Sequence, residues 1–186
     1  MEADWEFEVG GNAPVIDACW LGFVDLQHSP ERAVKLPEAA QFPALAAALA
    51  RLNAVASPVW TSKCDMWPLI QPDQFDIDEL DAPLGHGAHA IGCYVDLLPK
   101  NGPQWSIPDL AAGVCRLWCA RLRVIPLRCC RVDLIIRRAF IRSNRMDLGV
   151  TAYLTACGPT QGEAQTVLQA ALEAFVDALC GQSTLQ

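Results

Sequence analysis

The chain has no uninterrupted apolar run approaching the roughly 18 to 20 residues that a membrane helix needs, so its positive mean hydropathy does not point to a bilayer. Its start, MEADWEFEVG, is acidic and lacks both a basic stretch and an apolar core. No secretory signal is therefore expected, and the cytoplasm is the default location. None of the nine cysteines forms a C-x-x-C pair, and their number is odd. In a reducing compartment such residues serve chiefly as small apolar core groups, so neither a disulfide framework nor a metal centre is expected. The chain also lacks G-x-S-x-G, a P-loop, G-x-G-x-x-G and H-E-x-x-H, and it holds only three histidines. No catalytic residue, metal ligand or cofactor follows from its motifs.

What is present suits a folded protein. The 186 residues are 52% hydrophobic and 19% charged, enough to bury a core as one domain spanning residues 1–186. Charge is unevenly placed. Residues 1–93 carry fourteen acidic side chains against four basic ones, whereas residues 94–186 carry seven against ten. All ten of those basic side chains lie between Lys100 and Arg145, opposed there by Asp109 and Asp133 alone. Such an asymmetry either serves a partner or is neutralised within the fold.

Periodicity gives the element order. Trp5 to Val9 alternates as a strand, and a second strand is expected over Val15 to Leu26. A short helix follows Ser29-Pro30-Glu31, and FPALAAALARLN, residues 42–53, is a helix with Pro43 in its first turn. Val59 to Trp67 is a strand. Residues 68–90, rich in proline, glycine and acid, form a long loop with one helical turn near Phe75 to Leu80. This loop, over 71–88, joins two halves, 1–70 and 89–180. Ile91 to Leu98 is the next strand. Ser106 and Asp109 stand in capping-box relation before a helix reaching Arg123. Arg128 to Arg142 and Leu148 to Cys157 form a hairpin, and Thr160 with Glu163 caps a last helix ending at Gly181. The order predicts an α+β two-layer sandwich: a mostly antiparallel sheet with helices on one face and ferredoxin-like elements.

The segment RCCRVDLIIRR, residues 128–138, shows how such a sheet divides. Cys130, Val132, Leu134 and Ile136 fall on one face, with Arg131, Asp133, Ile135 and Arg137 on the other. The strands carrying Tyr94, Asp96, Tyr153, Lys63, Asp65 and Trp67 split in the same way. Each has an apolar side for the helices and a polar, aromatic side. The polar side is either a set of cross-strand pairs or a recognition face. V-D-L recurs at 24–26, 95–97 and 132–134, a weak sign of strand duplication.

Several constellations remain. His86, His89 and Cys93 have donor types at metal-like spacing, but a fourth ligand is not evident. Cys115 and Cys119 extend the apolar stripe of a helix. Asp25, Asp96 and Asp133 suit acid–base or Mg²⁺ chemistry only if they converge. The arginines between 116 and 145 suggest nucleic acid, but the pI of about 4.8 and the acidic half argue against it. The acidic loop PDQFDIDELDAP is either solvated or suited to capturing a basic cleft through Asp73, Asp76, Asp78, Glu79 and Asp81, with Trp67 as an anchor. A non-catalytic binding protein is the leading reading, its partner being a protein or a second copy of the chain. The alternative is a small enzyme using Asp96, Asp133, Arg131 and Tyr153 on the polar face, which requires a deep pocket around all four.

The first 70 or so residues resemble a known family. CWLGFVDLQHSPERA, residues 19–33, with Trp20-x-Gly22 and its Ser-Pro-Glu helix start, the alanine–leucine helix 42–53 and the strand from Trp60 resemble immunity proteins of bacterial polymorphic toxin systems. The nearest are those paired with restriction-endonuclease-like DNase toxins of contact-dependent or type VI secretion. The resemblance implies a cytoplasmic acidic binder without catalytic residues that blocks a cognate protein toxin.

Overall fold

Alternation of apolar and polar residues builds six strands into one sheet in a computed structural model that describes residues 1–18, 20–69, 75–100, 105–142 and 145–181. The strands are β1 (Glu2–Glu8), β2 (Ile16–Asp17), β3 (Val59–Leu69), β4 (His89–Pro99), β5 (Cys130–Arg142) and β6 (Arg145–Gly158). The helices are α1 (Pro37–Gln41), α2 (Pro43–Asn53), α3 (Pro108–Arg123) and α4 (Gln161–Cys180), with a 3-10 turn over Pro30–Lys35. The class is α+β. The sheet runs β1-β5-β6-β4-β3, and β2 follows β1 along the edge of β5. β5–β6, β6–β4 and β4–β3 are antiparallel, whereas β1 and β2 both run parallel to β5. The sheet is therefore mixed, a correction to the mostly antiparallel one expected. Local hairpin signals reveal antiparallel neighbours, but the addition of residues 2–8 to a strand more than 120 positions away carries no such local signal.

β4, α3 and β5 form a split β-α-β unit, two parallel strands with β6 inserted between them. Both halves of the chain contribute strands, so the acidic N-terminal segment lies beside the basic β5.

The helices cover one face. α2 buries Leu45, Leu49 and Leu52, α3 buries Ala111, Cys115, Trp118 and Leu122, and α4 buries Leu168, Leu172, Phe175 and Leu179. Their spacings of three and four place each set on one stripe. They meet Cys93, Val95 and Leu97 of β4, Val132, Leu134 and Ile136 of β5, and Val150, Ala152 and Leu154 of β6, all fully buried. A core side chain such as Phe175 contributes about 1.5–3 kcal/mol by leaving water. Asn53, at the end of α2, fastens helix to sheet. Its amide donates to the Leu49 carbonyl (2.8 Å) and Thr61 Oγ1 (2.7 Å) and accepts from Thr61 N–H (3.1 Å).

Three local expectations are corrected. Among the described residues of 15–26 only Ile16–Asp17 is strand; the chain then turns at Gly22, whose φ of +95° suits glycine. Residues 77–81 make tight turns, not a helical one, closed by Asp81 N–H to the Asp78 carbonyl. Ser106 does not cap α3, whose N-cap is Ile107; its hydroxyl donates to Asp147 at 2.8 Å instead. The Thr160–Glu163 cap of α4 does form.

Candidate functional site: the open sheet face

On the side away from the helices, strand register sets side chains in rows. One row crosses all five lanes as Asp4, Asp133, Tyr153, Tyr94 and Asp65. Its neighbours are Glu2, Arg131, Thr155, Gly92 and Trp67 on one side, and Glu6, Ile135, Thr151 and Asp96 on the other. Trp67, Tyr94 and Tyr153 form an aromatic ladder with centroids 6.1 and 6.0 Å apart. Gly92 is required beneath it, since a Cβ there would sit 2.8 Å from the Trp67 ring. Apolar clusters close the trough at its ends. Ile16, Ala18, Trp60, Leu98 and Ala139 pack at one, and Leu80, Ala90, Cys129 and Cys157 at the other.

Arg137 is the hub. It donates to Glu8 at 2.5 and 2.9 Å, to Thr151 at 3.1 Å and to Tyr153 at 3.2 Å, and it lies 5.6 Å from the Tyr153 ring centre. The Thr151 hydroxyl donates in turn to Asp96 at 2.6 Å. Burial raises the Asp96 carboxyl above the ordinary range, although Thr151, Arg137 and Lys63 pull it down. Asp133 is raised too, because burial outweighs the bond it accepts from Arg131 (2.7 Å). Tyr94 is pushed up to about 12, first by burial and then by Asp96 and Asp65.

The candidate carboxylates Asp25, Asp96 and Asp133 do not converge. Asp96 and Asp133 stand two strands and two residues apart, roughly 12 Å between backbones by strand geometry. Asp25 lies outside the sheet, paired with His28 at 2.6 Å, so the first V-D-L is not a strand like the other two. A cleft of about 370 Å³ is lined by Asp4, Glu6, Arg131, Asp133, Ile135 and Tyr153, and Asp96 is not part of it. His86 lies 4.0 Å from Cys129, whereas Cys93 faces the helices, so the His86, His89 and Cys93 set is split. Among the described residues no cluster of histidine, cysteine and carboxylates suits a metal. The eight described cysteines are free, and Cys129 and Cys130 face opposite sides.

The described part of the acidic loop, residues 75–83, folds against the end of the sheet. Asp81 receives two bonds from Arg128 (2.7 and 3.0 Å), and Glu79 pairs with Arg131 at 3.2 Å. Asp76 accepts from the Asp78 N–H at 2.8 Å, and both side chains are exposed without an ion pair among the described residues. Trp67 lies half-buried on the trough floor, and Asp73 lies outside the described residues.

The two halves of the charge distribution thus meet. Arg123, Arg128, Arg131 and Arg137 of the basic segment pair with Asp4, Asp81, Glu79 and Glu8 of the acidic half. Glu2, Glu6, Asp76 and Asp78 remain exposed and have no cationic partner among the described residues. The Arg137–Glu8 pair and the acidic row of β1 escaped sequence reasoning. Their signal in the sequence is the period-two placing of Glu2, Asp4, Glu6 and Glu8, of which Glu2 and Asp4 precede the strand expected over Trp5 to Val9. No family model, curated protein or solved structure matches the chain.

Proposed function

We propose that this chain is a non-catalytic cytoplasmic binding protein of the immunity type, which captures a basic protein, a cognate secreted toxin, on its acidic side. The observation that supports this reading is the charge balance. The arginines facing the trough are held by carboxylates of the same chain, so the surplus exposed on β1 and on the loop is negative. That pattern steers a cationic partner and repels nucleic acid. Capture through Asp76, Asp78 and Glu6 needs no turnover chemistry, and the polar groups of the trough are already bonded to one another.

The test is co-expression with the product of the adjacent gene. Relief of its toxicity by the wild-type chain, and loss of that relief on Glu6→Lys, Asp76→Lys and Asp78→Lys together, is the expected result. Equal protection by wild-type and charge-reversed chains removes the acidic side from the account, and no protection removes the immunity reading. A second reading, a small enzyme, draws on the cleft that gathers Arg131, Asp133 and Tyr153. It lacks Asp96, and its one arginine is bound to its most buried acid.

A further inference from the structure

A second concavity lies at the opposite edge of the sheet, where β3 departs from regular pairing between Thr61 and Cys64. Bulges of this kind re-aim side chains. Here the bulge and the segment after Gly22 enclose about 530 Å³. That volume lies within the roughly 300–1,000 Å³ typical of small-molecule sites. Its floor is apolar, formed by Val24, Leu26, Leu36 and Leu49. Trp20 makes one wall by folding back over Gly22, where a Cβ would meet its ring at 3.0 Å. Lys63 is held against that wall, its Nζ 5.6 Å from the ring centre.

Two carboxylates line the mouth, Glu38 from α1 and Asp65 from β3, and neither forms an ion pair among the described residues. Asp65 is exposed and, among the described residues, accepts only the neighbouring Met66 N–H at 2.7 Å. The charge of Lys63 is shared with nearby Asp96. Cys64, inside the cavity, is pushed up to about 12 by burial and then by Glu38, Asp65 and Asp96, so its thiol stays neutral and adds to the apolar lining.

We propose that this cavity binds a small apolar molecule bearing an ammonium group, the hydrocarbon lying over Leu36 and Leu49 against Trp20 and the cation held between Glu38 and Asp65. An apolar floor beneath a net negative rim selects that combination over a neutral or anionic analogue. The site is separate from the acidic strip of β1 and the loop, and does not depend on the proposed function.

The experiment titrates the full chain with 2-phenylethylamine, 2-phenylethanol and 3-phenylpropionate, following binding by ligand-observed NMR and the Trp20 indole signal. The amine is expected to bind at least about tenfold more tightly than the carboxylate, with the alcohol between them. Glu38→Gln with Asp65→Asn is expected to bring the amine down to the level of the alcohol, leaving the alcohol unchanged. Leu36→Trp, its fold checked by circular dichroism, is expected to abolish binding of both. No binding of the amine, an amine no tighter than the carboxylate, or amine binding unaffected by the double carboxamide variant overturns the proposal.

Discussion

Replacing Arg137 by leucine tests the network that organises the open face. The arginine side chain is 11% exposed and holds Glu8, Thr151 and Tyr153 at once. Removing one member of a buried pair costs about 3–5 kcal/mol when the other charge is stranded. Glu8 is 40% exposed, so its freed carboxylate regains water and the loss is discounted to about 2–3 kcal/mol. Leucine adds apolar contact but cannot satisfy the Tyr153 hydroxyl, which itself reaches the trough and rehydrates. Urea unfolding followed by tryptophan fluorescence measures the change. Glu8→Leu in the Arg137→Leu background removes the stranded charge, so the double variant is expected to be less destabilised than the two single losses combined, with about 1 kcal/mol or more of coupling. A single-variant loss below about 0.5 kcal/mol, or strictly additive losses, refutes the coupled hub.

Other perturbations give separate readouts. Asn53→Ala leaves the Thr61 N–H buried without its acceptor and cuts the tie between α2 and β3, so unfolding free energy is expected to fall by about 2–3 kcal/mol; chemical denaturation measures it. Asp96 has its carboxyl raised in the fold, so the native state holds that proton more tightly than the unfolded chain. Its contribution is therefore favourable in acid and is lost as pH rises from the unfolded value of 3.8 through the raised one. Asp96→Asn is accordingly expected to narrow or reverse its stability deficit relative to wild type as pH goes from 4 to 7 (a pH series of urea melts), and a deficit growing over that range would contradict the assignment. Cys64 and Cys115, each raised to about 12 chiefly by burial, are expected to resist iodoacetamide at pH 8 in the native chain and to react in urea, as read by mass spectrometry.

Much of the architecture was readable from periodicity and caps. Pro43 and the alanine–leucine run mark α2, Thr160 with Glu163 marks α4, and alternation in β4, β5 and β6 identifies the helix-facing side chains, although Asp96 and Thr151 on the other face are buried as well. What escaped depended on distant partners. Parallel pairing of β1 with β5 made the sheet mixed and brought Glu8 to Arg137, a contact 129 residues apart in sequence. Val15–Leu26 has strand-like residues, but Ile16, Ala18 and Phe23 pack across the end of the open face, and among the described residues of the segment only Ile16–Asp17 finds a partner strand. Among the loop acids, Glu79 and Asp81 are tied to arginines, which no local pattern in PDQFDIDELDAP announces.

Calorimetric titration of the chain with the purified product of the adjacent gene, at low and at physiological ionic strength, addresses partner capture most directly. A one-to-one complex that weakens with salt, and that loses about tenfold or more in affinity on charge reversal at Glu6, Asp76 and Asp78, is the predicted result. A complex indifferent to both salt and those three charges, or no heat of binding at all, contradicts it.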